Sequence, residues 1–134
     1  MIFTVKIRDN KEFTRLYRRG AYEVGSLVVV YAQKSRDGVS RIGITTSKKI
    51  GNAVVRNRAR RVIRSAYSQI ESSVPKGWSF VFVARSKTAK AKSYEVAQEL
   101  SVLIGKAMKK GSRNRVAGAS ENDKKSVAED HSVL

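Results

Sequence analysis

Five arginines and no lysine lie between residues 53 and 73, and their spacing suits phosphate binding. Arg56, Arg60 and Arg64 recur every four residues, which on a helix places them in one row about 6 Å apart along the axis. A guanidinium presents a planar pair of donors that fits a phosphate, and it also stacks on bases. No Asp or Glu occurs between residues 38 and 70 to neutralise this row. The pattern therefore predicts a surface that binds a polyanion.

The chain has few of the side chains that catalyse hydrolysis. It contains no cysteine, and its single histidine, His131, lies near the C-terminus. A thiolate zinc site, a cysteine nucleophile and a His–Ser pair within ordered chain are therefore excluded. A nuclease that uses two metal ions needs clustered carboxylates, but the seven acidic residues up to Glu99 are scattered along the sequence. We expect no catalytic residue and no metal ligand in this protein.

Composition and charge point to one basic domain. The 134 residues carry a net charge of +17, and 41% of them are hydrophobic, which is enough for a core. Residues 1–115 hold 26 basic and 7 acidic side chains, whereas residues 116–134 hold 2 and 4. We predict a single domain over residues 1–111 and a flexible polar tail over residues 112–134. The sequence offers neither a signal peptide nor a membrane span, so we expect a cytoplasmic protein that is monomeric when free.

Hydrophobic periodicity predicts seven elements in the order α-β-β-β-α-β-α. The long helix that carries the arginines begins after a cap at Asn52, and its opposite stripe is apolar. These elements predict an α+β fold, a small two-layer sandwich in which helices pack on a four-stranded mixed sheet. The predicted helices span residues 10–19, 53–73 and 93–110, and the predicted strands span residues 21–24, 27–32, 40–46 and 78–84.

The run from Ser47 to Arg64 resembles the signature of the bacterial ribonuclease P protein component. In that family a Lys-Lys-x-Gly-x-Ala loop leads into a helix with an Arg-Asn-Arg motif and further spaced basic residues. Here residues 48–53 read Lys-Lys-Ile-Gly-Asn-Ala, and residues 56–58 read Arg-Asn-Arg. The order of elements over residues 5–110 is also similar to that family. The resemblance implies a left-handed connection from the third strand through the long helix to the fourth.

The resemblance implies a protein subunit of a ribonucleoprotein endonuclease that removes the 5′ leader from precursor tRNA. In such an enzyme the RNA subunit carries out the chemistry, and the Mg²⁺ that it requires is held mainly by RNA, so no cofactor is expected on the protein alone. The expected partners are the catalytic RNA and precursor tRNA with its leader. Carried over by position, the residues expected to face the catalytic RNA are Lys48, Lys49, Asn52, Arg56, Asn57, Arg58, Arg60, Arg61 and Arg64.

The family is also expected to hold the single-stranded leader in a central cleft, floored by the sheet and walled by the first helix and the arginine helix. The matching positions are Phe13, Tyr17 and Tyr31. Bases of single-stranded RNA stack on aromatic faces at about 1–3 kcal/mol each, with little dependence on sequence. Phe13 and Tyr17 also fit the core stripe of a short helix, and Tyr31 also fits a strand residue with its hydroxyl in water. The sequence leaves both interpretations open.

A second basic cluster, Arg85, Lys87 and Lys90, follows the last strand. A solvated loop is the default interpretation of such a cluster, and phosphate contacts are the alternative. The main alternative function is that of a ribosomal-type structural RNA-binding protein, which would share the size, the charge and the α+β order. The ordered run of residues 48–64 favours the ribonuclease P interpretation over that alternative. A DNA-binding role has less support because no helix-turn-helix partner accompanies the arginine helix.

Overall fold

The computed structural model describes residues 1–112, so the tail predicted for residues 112–134 lies outside them from residue 113 onward. Three helices and five strands are present, and single 3-10 turns occupy residues 48–50, 71–73 and 88–90. In chain order the elements are β1 (Val5–Lys6), α1 (Asn10–Arg19), β2 (Ala21–Val24), β3 (Val28–Lys34), β4 (Arg41–Thr45), α2 (Ala53–Ile70), β5 (Trp78–Ala84) and α3 (Ser93–Ser112).

The five strands form one mixed sheet in the spatial order β1-β4-β5-β3-β2. Strand β5 lies in the centre, parallel to β4 and antiparallel to β3. The α+β class and the mixed sheet are confirmed, but the sheet has five strands because β1 adds a parallel partner to β4 at its edge. Both side chains of this two-residue strand are exposed, so it has no alternation of buried and exposed residues by which hydrophobic periodicity could predict it.

Helices cover both faces of the sheet rather than one. On one face α2 and α3 enclose the larger apolar cluster, which includes Ile63, Phe82 and Leu100. On the other face α1 encloses a smaller cluster with Val29, Val81 and Val83. Alternate residues of a strand point to opposite faces, so the central strands β3 and β5 contribute to both clusters. Helix α2 connects β4 to its parallel neighbour β5, and the left-handed sense of this connection remains an expectation from the resemblance.

A buried carboxylate anchors the N-terminal segment to the end of α2. The side chain of Glu71 is 1% exposed, and it accepts the backbone N–H groups of Ile2, Phe3 and Thr4 at 2.6, 3.0 and 2.9 Å. Burial alone would raise the pKa of Glu71, but hydrogen bonds from Thr4 and from these backbone groups outweigh it and lower the pKa. The Thr4 and Tyr67 hydroxyls also lie 2.9 Å apart. These bonds fix the position at which β1 enters the sheet.

Candidate nucleic-acid interface

A tight turn places two exposed lysines immediately before α2. The Ser47 hydroxyl accepts the backbone N–H of Lys49 at 3.3 Å, and the Asn52 side chain accepts the N–H of Val55 at 3.0 Å. The cap predicted at Asn52 is therefore confirmed. Because the N-terminal end of a helix carries a partial positive charge, Lys48 and Lys49 add to a potential that already attracts anions.

Position 51 of this turn requires glycine for two reasons. Its φ of +146° lies in a region that side chains rarely adopt, and a Cβ there would lie 2.8 Å from the Cβ of Val55. We expect Gly51→Ala to lower the free energy of unfolding by about 1–3 kcal/mol in urea denaturation. Gly105→Ala is the matched control, because its Cβ would meet nothing within 4 Å on α3. The control should gain up to about 1 kcal/mol, and an equal loss in both variants would contradict this account.

The arginines of α2 divide between two sides of the helix. Arg58, Arg61 and Arg64 are exposed, whereas Arg56 and Arg60 are half-buried on the flank beside the core. The half-buried position of Arg60 is fixed because its Nη1 donates to the side-chain oxygen of Asn57 at 2.7 Å. The core side of α2 is formed by Ala59, Ile63, Ala66 and Tyr67, of which Tyr67 was not on the predicted apolar stripe.

Positive charge on α2 is not neutralised by neighbouring carboxylates. Burial lowers the pKa of Arg60, and the charges of Arg56 and Arg64 lower it further. Within residues 1–112, no carboxylate forms an ion pair with the five arginines. The acids that flank this segment are engaged elsewhere: Glu71 binds backbone N–H groups, and a hydrogen bond from Arg41 lowers the pKa of Asp37 to about 2. The surface of α2 is therefore arranged to attract a polyanion.

The three aromatic residues matched to the leader cleft lie in the smaller core cluster. Phe13, Tyr17 and Tyr31 are 2%, 4% and 0% exposed, respectively. The rings of Tyr17 and Tyr31 meet edge to face at 5.0 Å, and the Tyr17 hydroxyl donates to Thr45 at 3.3 Å. Burial raises the pKa of Tyr17 to about 12. Of the two interpretations that the sequence left open, this arrangement corresponds to the core, with no face of these rings open to a base.

Phe13 occupies its position because Gly43, the residue of β4 beneath its ring, has no side chain. A Cβ built on Gly43 of β4 would lie 2.5 Å from two atoms of the Phe13 ring. The glycine therefore creates the space that lets α1 approach the sheet closely. This contact is a packing feature that nothing in the spacing of the sequence indicates.

A groove opens on the same face of the sheet as α1, next to the start of α2. Its volume is about 450 Å³, and its lining combines the apolar Val24, Val29 and Val83 with the basic Lys49 and Arg85. Sequence reasoning missed this groove because its residues come from four separate segments that only the folded sheet brings together. Its mixture of apolar and cationic groups suits a single-stranded nucleic acid, whose base faces pack on apolar surface and whose phosphates are anionic.

The second basic cluster is only partly associated with the groove. Arg85 lines it and donates to the backbone oxygen of Gly25 at 3.0 Å, whereas Lys87 and Lys90 are exposed on the 3-10 turn that follows. The hydroxyl of Thr88 accepts the backbone N–H of Arg85 at 2.8 Å and so braces this loop. Arg85 and Lys49 therefore line the same groove, whereas Lys87 and Lys90 lie outside it.

In the part of the chain that the structure describes, no group of three or more His, Cys, Asp or Glu side chains could hold a metal ion. None of the helices up to residue 112 has the length and apolar character needed to cross a membrane.

Fold and surface together define a small α+β protein of a type that attracts polyanions, in which α2 presents arginines that no carboxylate pairs with among residues 1–112. The profile of the family described as Ribonuclease P matches residues 3–108. The chain therefore belongs to the ribonuclease P protein component family, as the sequence resemblance indicated. The family acts in tRNA processing as a subunit of a ribonucleoprotein.

Individual relatives agree with this assignment. The ribonuclease P protein component of Clostridium novyi (strain NT) is 43% identical over 105 residues, covering 76% of this chain and 92% of the relative. That of Clostridium botulinum (strain Langeland) is 38% identical over 103 residues, covering 76% and 93%. The solved structure of the Staphylococcus aureus RNase P protein superposes with a TM-score of 0.66 at 28% identity, covering 76% of this chain and 94% of that one. The Thermotoga maritima RNase P protein gives 0.65 at 25% identity, covering 75% and 96%.

Proposed function

We propose that this protein binds the catalytic RNA of ribonuclease P through α2 and the preceding turn, and that it thereby assists removal of the 5′ leader from precursor tRNA. The observation that carries the proposal is the surface of α2, where exposed Arg58, Arg61 and Arg64 have no carboxylate partner within the described residues 1–112. Arginine forks fit phosphate oxygens in pairs, and each neutralised phosphate releases counterions from the RNA. The protein supplies no catalytic side chain, and the required Mg²⁺ is held mainly by RNA.

The leader of the precursor is proposed to lie in the groove between the turn before α2 and the loop after β5. Support comes from the 450 Å³ volume and from the lining, in which Lys49 and Arg85 stand beside apolar strand residues. The buried Phe13, Tyr17 and Tyr31 then act by supporting the sheet beneath the groove rather than by stacking on bases. Such a surface accepts leaders of different sequence because it offers no fixed pattern of donors and acceptors to base edges.

The location and assembly state follow from this role. We propose that the free protein is a cytoplasmic monomer that becomes part of a ribonucleoprotein. A ribosomal-type structural role is not favoured, because the family match covers residues 3–108 and relatives along that length carry the ribonuclease P name.

Reconstitution tests the proposal. A bacterial ribonuclease P RNA and a labelled precursor tRNA are incubated at near-physiological salt and low Mg²⁺, with and without the protein, and leader release is measured. We expect efficient cleavage only when RNA and protein are both present. Cleavage by the protein alone would mean that it contains an active site, and an absence of stimulation with RNA binding intact would favour the ribosomal-type alternative.

The groove is tested in the same assay with a double variant, Lys49→Gln with Arg85→Gln, at protein concentrations that saturate the catalytic RNA, because Lys49 also lies in the turn proposed to bind that RNA. We expect the affinity of the reconstituted enzyme for precursor tRNA to fall by about 10-fold, because two phosphate contacts are lost. The affinity for mature tRNA, which has no leader, should be unchanged. Lys87→Gln with Lys90→Gln is the control, since these residues lie outside the groove. Equal losses for both tRNAs would contradict placement of the leader there.

A further inference from the structure

Strand β1 brings an additional cation beside the arginine surface of α2. Lys6 and Arg64 line one cavity of about 210 Å³, together with Met1, Ile42 and Ile44. The side chain of Lys6 is exposed on the edge strand, and Arg64 is the last of the exposed α2 arginines. We propose that Lys6 and Arg64 form a phosphate-binding site that extends the RNA surface of α2 onto the edge of the sheet, with Glu71 as the residue that positions Lys6.

The charge around this cavity supports a bound anion. Among the residues that the structure describes, its lining contains the cationic side chains of Lys6 and Arg64 and no acidic side chain. Glu71, the first acid after α2, forms no ion pair with either cation among the described residues, and its two carboxylate oxygens accept backbone N–H groups instead. Two cations that share a small cavity repel each other, and a phosphate between them removes that repulsion. The apolar remainder of the lining fits the sugar portion of the same nucleotide.

The N-terminal anchor explains why Lys6 is held at this place. The carboxylate of Glu71 fixes Ile2, Phe3 and Thr4, and Thr4 is also within hydrogen-bond distance of Tyr67. From Thr4 the chain runs directly into β1, where Lys6 pairs with Ile42 of β4. Both anchoring residues lie on or just after the C-terminal end of α2, the helix that carries Arg64. The anchor therefore fixes β1 and the arginine surface relative to each other.

This inference rests on the proposed function, because the ligand is a phosphate of the RNA that α2 binds. The test measures the dissociation constant of full-length protein for ribonuclease P RNA between 50 and 300 mM salt. For Lys6→Gln we expect a salt slope smaller by about 0.7–0.9 and about 4-fold weaker binding near 150 mM, as for one lost phosphate contact. Lys34→Gln, an exposed lysine at the end of β3, is the charge-matched control. Identical behaviour of the two variants would overturn the site.

The positioning role of Glu71 is tested by a double-mutant cycle. In a Glu71→Gln background, Lys6→Gln should weaken binding by less than 2-fold, because Lys6 is no longer held beside Arg64. A full 4-fold effect in that background would overturn the positioning role. If Glu71→Gln unfolds, Glu71→Asp replaces it, since the shorter side chain draws the carboxylate away from the three backbone N–H groups and keeps its charge. In that background Lys6→Gln should weaken binding by less than 4-fold, and a full 4-fold effect would contradict the positioning role of Glu71.

Different results would contradict the phosphate site and the proposed function. If the wild-type protein prefers ribonuclease P RNA but Lys6→Gln matches its control, the site fails and the proposed function stands. If the wild-type protein binds an unrelated structured RNA equally well and Lys6 still contributes, the proposed function fails and the phosphate site stands.

Discussion

Replacing Arg58, Arg61 and Arg64 together with glutamine is expected to weaken binding of ribonuclease P RNA by about 100-fold near 150 mM salt. Each of these side chains is exposed and lacks a carboxylate partner in the described chain, so each is available for a phosphate. The salt slope should fall by about 2–3, the amount that three lost contacts predict. The measurement is a filter-binding or fluorescence titration over a salt series.

Folding should survive this triple change. Like charges on one helix repel, so their removal costs no stabilising contact and can even raise the unfolding temperature slightly. The control removes the same charge elsewhere, at the exposed Lys34, Lys106 and Lys109. If the control weakens binding equally, only the net charge matters and α2 is not the interface. A fall of more than about 10 °C in the unfolding temperature of the arginine variant would make these residues structural.

Phe13→Ala is expected to lower the free energy of unfolding by about 3–4 kcal/mol, the largest single effect on stability that we anticipate. The ring is 2% exposed and fills the space above Gly43, so its removal leaves a cavity between α1 and the sheet. Urea denaturation followed by Trp78 fluorescence measures the loss. We expect binding of the catalytic RNA and of the leader to decline together, in step with the unfolded fraction.

Gly43→Ala provides the complementary change. A methyl group at this position would overlap the Phe13 ring, since the Cβ would lie 2.5 Å from it, and overpacking of this kind costs about 1–3 kcal/mol. Combined with Phe13→Leu, the glycine substitution should cost less than the sum of the single effects because the two residues share one space. A stable Phe13→Ala protein that specifically loses leader binding would instead identify Phe13 as a residue of the cleft.

Local patterns were sufficient for most of the secondary structure. The cap at Asn52 is a short-range signal, and the helices and central strands lie where this signal and the hydrophobic periodicity place them. The end of α2 was predicted three residues late, because residues 71–73 continue as a 3-10 turn. That turn follows from Glu71, whose carboxylate turns inward to bind a segment almost seventy positions away, a contact that no local pattern encodes.

The sequence predicts the part of the candidate site that charge alone defines. It does not predict the part that depends on how the elements pack. Spacing and the absence of acids located the arginine surface of α2, although the half-burial of Arg56 and Arg60 depends on how the helix lies on the sheet. Phe13 and Tyr17 follow the helical spacing that core residues and binding residues have in common, so the sequence could not separate the two roles. The groove beside Lys49 and Arg85 arises only when distant segments meet.

The central position of β5 has a consequence for synthesis of the chain on the ribosome. Strands β3 and β4 do not pair with each other, because β5 lies between them and bonds to both. Until residue 84 has emerged, the strands of a nascent chain can form only a β2–β3 hairpin and a separate β1–β4 pair, each with an open edge where β5 will lie. The complete sheet therefore cannot form before β5 emerges, and both strand pairs must remain soluble in the meantime.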